Sequence, residues 1–371
     1  MGQVDSTEGF TKSPAPCGDS WPPAYGADVL HTAAVYKEGM QAPEIASWLG
    51  EYVGPVNAAL EELNPLGTET TLELAARDAL FTGGKRVRAI LALLWCEVYS
   101  GDPYPAIPLA VAYELAHASA LIQDDIIDRS DMRRGAKSIA AKYGLTTALL
   151  ASDLLLFNVP KMVAKYQTLE SRRLTRILEL LGDACKASTW GEFIDMAMAR
   201  DGDETEKKYE EMIRLKTSSL LSAPCASGAL VGGAAEGAAF AAGEFGEEIG
   251  MAYQIQDDAL DLVGEESELG KPTLTDLRSG KKSLVLMHCL DHSSEGDRKF
   301  VTGLIGRTGP YSHEEVLRLR ELIEEKGSLT FAREKIARHT ANAKEVLVSI
   351  PRGKARDRLS ELTEYLAVRY Y

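Results

Sequence analysis

Two acidic runs carry the densest reactive chemistry in the chain. Asp124-Asp125-Ile126-Ile127-Asp128 closes one apolar stretch, and Asp257-Asp258-Ala259-Leu260-Asp261 closes another. Burying unpaired carboxylates among apolar residues is costly. Two runs of one pattern, far apart in sequence, therefore predict a single site with cations between them. Magnesium held between carboxylates and the oxygens of a polyphosphate fits that pattern.

A helix advances about 100° per residue, so positions i and i+4 share a face. Asp124 and Asp128 align in this way, as do Asp257 and Asp261. His117 falls on the face of Asp124, and Gln254 sits one turn before Asp257. Either run alone reads equally well as a solvated acidic helix end; the pair reads as a metal site. Basic groups complete the pattern. Gly83-Gly84-Lys85-Arg86-Val87-Arg88 opens a helix, where glycines permit close backbone approach and the N-terminus favours anions. Arg133-Arg134 follow the first run, and Lys271 and Lys281-Lys282 follow the second. Singly, each is ordinary surface decoration. Together they outline a site for two anionic groups, one bridged by metal and the other held by Arg and Lys.

The elements that must position these groups read as helices. Apolar spacing predicts helices from Pro43 to about Leu63, Leu72 to Phe81, Arg86 to Ser100 and Ile107 to about Arg129. The pattern continues over Ser138–Gln167, Glu170–Met198, Glu206 to about Leu230 and Gly237–Leu262. Glu265 to Gly280 reads as loop. Helices return at Lys282–Leu290, His313–Glu325, Thr330–Ser349 and Lys354–Tyr371. No run of alternating strands occurs, and the class is all-α. Residues 1–35, rich in Gly, Pro, Ser and Asp, read as a loose extension, and 36–371 as one large helical domain.

A net charge of −14 argues against general nucleic-acid binding. Five scattered cysteines without a CxxC pair indicate neither zinc nor a disulfide framework, and suit a reducing cytoplasm. The Gly- and Ala-rich stretch from Ala226 to Gly243 reads as a tightly packed interior helix and not a membrane span.

With these motifs in hand, the chain resembles the trans-isoprenyl diphosphate synthases of the polyprenyl synthetase family. The resemblance rests on Gly83-Gly84-Lys85-Arg86-Val87-Arg88, on the first acidic run with Arg133-Arg134-Gly135, on Lys216-Thr217, and on Tyr253-Gln254-Ile255-Gln256 with the second acidic run. Gly270-Lys271-Pro272 and Gly280-Lys281-Lys282 complete the set, and the resemblance covers roughly residues 40 to 371. It implies the isoprenoid synthase fold, with central helices around a deep cavity, and a homodimer. It also implies head-to-tail condensation of isopentenyl diphosphate with an allylic diphosphate. By likeness, Asp124, Asp128 and Asp257 ligate magnesium, and Asp125, Asp258 and Asp261 support them. Arg133, Lys216 and Lys271 hold the allylic diphosphate, with Lys281 beside them. Lys85, Arg88, His117 and Arg134 hold isopentenyl diphosphate. Thr217 and Gln254 line the reacting centre with Lys216. Two departures stand out. Ala89 replaces a proline common in the family, a change that a helix tolerates well, and the extension has no counterpart.

The expected reaction is dissociative. Cations stabilise the departing diphosphate, the isopentenyl double bond attacks the allylic cation, and a proton leaves to the released diphosphate. Below Asp124 lie Ala120, Ser119 and Ala116, all small, which predicts a product of geranylgeranyl length or longer. Three readings compete. A terpene cyclase usually mixes Asn, Ser and Glu in its second acidic motif, unlike the three aspartates here. A head-to-head synthase is disfavoured by the glycine-lysine-arginine motif. A non-catalytic partner subunit tends to lack an acidic motif, and both are intact.

Overall fold

The computed structural model describes residues 42–62, 70–166, 168–201, 205–264 and 273–367. The extension expected over residues 1–35 and Lys271 lie outside them. The described residues are almost wholly helical, as the apolar spacing predicts. Helices α1 (Ala42–Glu62), α2 (Thr71–Phe81), α3 (Val87–Ser100) and α4 (Ile107–Ile127) come first. A two-residue-stranded hairpin, β1 (Met132–Arg133) and β2 (Ala136–Lys137), interrupts them. Then follow α5 (Ile139–Tyr143), α6 (Leu145–Val163), α7 (Ser171–Asp201) and α8 (Glu206–Ile213). A π-helical turn (Arg214–Ser218) joins α8 to α9 (Ser219–Val231), and α10 (Glu236–Val263) is next. The C-terminal part holds α11 (Thr275–Ser279), α12 (Leu284–Asp291), α13 (Glu295–Leu304), α14 (His313–Glu325), α15 (Ser328–Val348) and α16 (Lys354–Ala367).

Helix α4 is apolar on nearly every side, so it must be central. It packs against α6 and α3, and Leu109 to Leu115 are essentially inaccessible. Tyr104–Ile127, which includes it, is the one described segment long and apolar enough to span a membrane, and most of it is buried in the protein core. Small residues let α9 approach its neighbours. A Cβ on Gly228 would lie 2.2 Å from the Ala92 carbonyl of α3. One apolar cluster joins α1–α7, α9, the first half of α10 and α16. A second gathers around α8, the end of α10 and α12–α15.

Several element boundaries differ from the sequence expectation. Ala226–Gly243 is not one interior helix, because Gly233, at φ 100, turns the chain between α9 and α10. Gly144, at φ 85, divides Ser138–Gln167 into α5 and α6. Part of the stretch read as loop, Thr275–Ser279, is a helix, and Glu295–Leu304 is a further helix that the sequence reading passes over. Its strongly charged composition hides a narrow apolar edge at Val301 and Leu304. The run from Glu206 to Leu230 is interrupted by the π-helical turn, which holds Lys216 and Thr217.

Candidate active site

Both acidic runs end long helices. Asp124 and Asp125 lie in the last turn of α4, Asp128 is its C-cap, and Asp257, Asp258 and Asp261 lie in the last two turns of α10. A helix C-terminus carries partial negative charge, so carboxylates there need cations. Neither last turn contains a basic residue, and the cations come from elsewhere in the chain.

The β1–β2 hairpin supplies the first. Its two turn residues, Arg134 at φ 52 and Gly135 at φ 76, both have the left-handed backbone of a tight hairpin turn. This folds Arg133 back onto its own helix end. Its guanidinium donates to Asp125 at 2.8 and 2.6 Å and to Asp124 at 2.9 Å.

Lysines come from two further elements. Lys216 Nζ lies 2.6 Å from Glu192, 2.8 Å from Asp195 and 3.5 Å from Asp124. Lys281 Nζ lies 2.9 Å from Asp128 and 3.3 Å from Asp195. Burial would raise the Asp124 carboxyl, but Lys216, Arg133 and Lys281 outweigh it and hold it below the ordinary carboxylate range. Burial would likewise strip Lys216 of its proton, and Asp195, Asp124 and Glu192 reverse this. The π-helical turn that aims Lys216 is wedged between two glycines. A Cβ on Gly191 of α7 would lie 2.2 Å from Lys216 N, and one on Gly250 of α10 would lie 2.5 Å from Ser218 Cα. A π-turn widens the helix by one residue and is frequent at functional sites. The Lys216 carbonyl accepts from Ser188 Oγ at 3.0 Å, so it is engaged by α7 and the lysine contributes its ammonium. Glu192 and Asp195, one turn apart on α7, carry no signal in the sequence, because an exposed-looking Glu and Asp on a 31-residue helix read as solvated.

On α10 the carboxylates divide by environment. Asp258 Oδ2 accepts from Tyr209 at 2.7 Å and its Oδ1 from Gln254 Nε2 at 2.6 Å. Gln254 Oε1 accepts from Thr217 Oγ1 at 2.7 Å. Asp261 accepts from the Thr275 amide and hydroxyl and from the Asp276 amide at 2.7–3.1 Å, so it fixes the start of α11. Asp257 is half-buried one turn before it. The adjacent residues Lys216 and Thr217 thus face one acidic run each, Lys216 directly at Asp124 and Thr217 through Gln254.

The glycine motif forms a second compartment in which cations outnumber the one buried carboxylate, Glu114. Arg86 is structural: it pairs with buried Glu114 at 3.1 Å and donates to Asn57 and the Leu80 carbonyl. Arg134 donates to the Gly83 carbonyl and lies where a Cβ on Gly84 would be, 2.6 Å from its Nη1. Lys85 Nζ sits 4.8 Å from the centre of the Tyr365 ring. Burial and then the surrounding Arg88, Arg134, Arg133 and Arg86 push His117 well below the usual imidazole range. Burial also lowers Arg88, and its Nε is enclosed with no hydrogen-bond partner in the protein. An anion would relieve this excess of positive charge.

Beneath Asp124, Ala120 is half-buried and Ala116 is buried. Ser119 turns about 140° away from Asp124 and bonds Ser152 of α6 at 2.8 Å. Beyond His117, the next bulky residue on the face of Asp124 is Tyr113, eleven residues back and fully buried, with its hydroxyl 2.9 Å from Ser227 Oγ.

Among the described residues, no three His, Cys, Asp or Glu side chains cluster closely enough to hold a metal ion by themselves. The donors present are hard carboxylate oxygens at two helix ends. That set fits magnesium, which binds through one or two carboxylates and completes its shell with substrate oxygens and water.

Comparison with known proteins agrees with this geometry. The polyprenyl synthetase family pattern matches residues 69–323. A short chain isoprenyl diphosphate synthase from Methanothermobacter thermautotrophicus is 33% identical, over 83% of this chain and 93% of its own. The crystal structure of geranylgeranyl pyrophosphate synthetase from Pyrococcus horikoshii OT3 superimposes with a TM-score of 0.82 at 32% identity, covering 88% of this chain and 99% of that one. A polyprenyl synthase from Caulobacter crescentus CB15, complexed with calcium and isoprenyl diphosphate, gives 0.79 at 26% identity, over 90% and 99%. Relatives at similar identity include geranylgeranyl and geranylfarnesyl diphosphate synthases. The chain belongs to the polyprenyl synthetase family and is a prenyltransferase.

Proposed function

We propose that this prenyltransferase condenses isopentenyl diphosphate head-to-tail with dimethylallyl, geranyl or farnesyl diphosphate, and that its product is geranylgeranyl diphosphate. The observation that carries the reaction is the placement of Lys216 and Thr217 on one π-helical turn, Lys216 on Asp124 of the first acidic run and Thr217 on Gln254, which in turn bonds Asp258 of the second. Magnesium, held by Asp124, Asp128 and Asp257, would neutralise charge on the allylic diphosphate. Asp125, Asp258 and Asp261 brace these ligands, a role supported by their protein partners. Arg133, Lys216 and Lys281 hold the same diphosphate, a role the family resemblance assigns to Lys271 as well. Arg88, Lys85, His117 and Arg134 take the isopentenyl diphosphate, supported by the unpartnered Arg88 Nε.

In this reading, leaving-group departure is assisted by cations that the protein has already charged and oriented, so little reorganisation remains for the transition state. The Gln254 carbonyl and Thr217 hydroxyl then lie beside the allylic cation. The departing diphosphate takes the proton lost after carbon–carbon bond formation, and no protein nucleophile is needed. Product length is supported by the small residues Ala116 and Ala120 of α4, with Tyr113 roughly 16 Å down the helix from Asp124. Exposed apolar residues on α6 (Leu149, Leu150 and Phe157) and on α7 (Leu178, Trp190 and Phe193) support a homodimer. The four described cysteines are free thiols, which suits a cytoplasmic enzyme, and residues 36–371 would form one catalytic domain.

Chromatography of the product from each allylic starter with isopentenyl diphosphate and magnesium tests the length. A twenty-carbon product is expected. A product ending at fifteen carbons, or running past twenty, would replace the geranylgeranyl assignment.

A further inference from the structure

We infer that Tyr209 is a positioning residue for prenyl transfer, acting through Asp258 to set the orientation of the Gln254 amide beside Thr217. The inference rests on the proposed reaction. Tyr209 stands on α8, outside both acidic runs and outside every motif that points to the active site. Its side chain is essentially inaccessible, at 1% exposure, and its hydroxyl donates to Asp258 Oδ2 at 2.7 Å.

The chain of bonds has a defined direction. A primary amide has one accepting and one donating end. The Gln254 amide turns its NH2 toward Asp258 Oδ1, at 2.6 Å. Its carbonyl oxygen then points at Thr217, where it accepts the hydroxyl at 2.7 Å. A flipped amide would set its carbonyl against a carboxylate and its NH2 at the reacting centre. The amide would then present the wrong end of its dipole to a cation.

Tyr209 holds the other half of this arrangement. Asp258 has two oxygens in a site that is 8% exposed, and Gln254 satisfies one. The Tyr209 hydroxyl satisfies the second and fixes the plane of the carboxylate. Without it, one buried carboxylate oxygen lacks a partner, the carboxylate can rotate, and the amide loses its reference.

Tyr209→Phe removes one oxygen and keeps the ring in its apolar cluster. The steady-state constants of wild type, Tyr209→Phe, Gln254→Ala and the double variant form a cycle, with melting curves so that kcat is compared per folded molecule. In Tyr209→Phe, kcat should fall about tenfold or more, with KM for both diphosphates and the half-saturating magnesium concentration within about twofold of wild type. In the Gln254→Ala background the same change should have no further effect. An unchanged kcat, an equal loss in both backgrounds, or a rise in KM or in the magnesium requirement would overturn the role. An inactive wild type would overturn the prenyl-transfer reading itself, and the role of Tyr209 with it.

Discussion

Lys281 donates to Asp128 at 3.0 Å although 153 residues separate them. The same ammonium lies 3.3 Å from Asp195, which also takes Lys216 at 2.8 Å. One buried carboxylate on α7 therefore sets the spacing of the two lysines that face the first acidic run. Burial would raise Asp195, but Lys216 and Lys281 outweigh it and hold it below the ordinary carboxylate range.

Asp195→Asn should lower kcat by about tenfold to a hundredfold, because Lys216 and Lys281 lose the anchor that aims them. Steady-state kinetics with circular dichroism on the same samples check this. An unchanged kcat would mean that the two lysines are placed by Asp124 and Asp128 alone.

The π-helical turn fits only because Gly191 and Gly250 lack side chains. Each Cβ would meet backbone, at 2.2 and 2.5 Å, so the turn must shift. Gly250→Ala should cost about 1–3 kcal/mol of stability and lower kcat more than the stability loss explains. Denaturant melts and kinetics measure the two effects separately. Wild-type activity would show that the turn tolerates displacement.

Product length gives a third test. Ala120→Phe places a ring on the face of Asp124 and should shorten the product, as should Ser119→Phe. Ser119 also bonds Ser152 across the α4–α6 contact, so its replacement carries an added packing cost of about 1–3 kcal/mol. Product chromatography reads the outcome. An unchanged product from both variants would remove these positions from the length argument.

Acid sensitivity has a local source in the α14 cap. Glu315 is lowered to about 2, first by its hydrogen bond from Arg307 and then by the Ser312 amide. A depressed carboxyl stabilises the fold above its unfolded value of 4.5, and that contribution is lost as pH falls from 4.5 toward about 2. Melting temperatures across that window should fall less steeply in Glu315→Gln than in wild type. Parallel curves would contradict the assignment.

Much of this site is legible in the sequence because its chemistry is local. The alignment of Asp124 with Asp128 follows from helical period alone, and Arg133-Arg134-Gly135 lies within ten residues of Asp125. The remainder depends on tertiary approach. Gly191 resembles any helix-weakening glycine until Lys216 is seen against it, and Glu192 and Asp195 resemble solvated charges until two lysines close over them. Tyr209 has no motif, and only its contact with Asp258 reveals it. Gly233 and Gly144 break apolar patterns that otherwise continue, which is why two runs read as single helices are each divided.

Diphosphate release by the purified chain tests the central claim most directly. With isopentenyl diphosphate, an allylic starter and magnesium, release should be rapid. It should require all three components and fall by on the order of 10²–10³ in Asp124→Asn. No release from the wild-type chain under these conditions would contradict the account and revive a non-catalytic partner subunit.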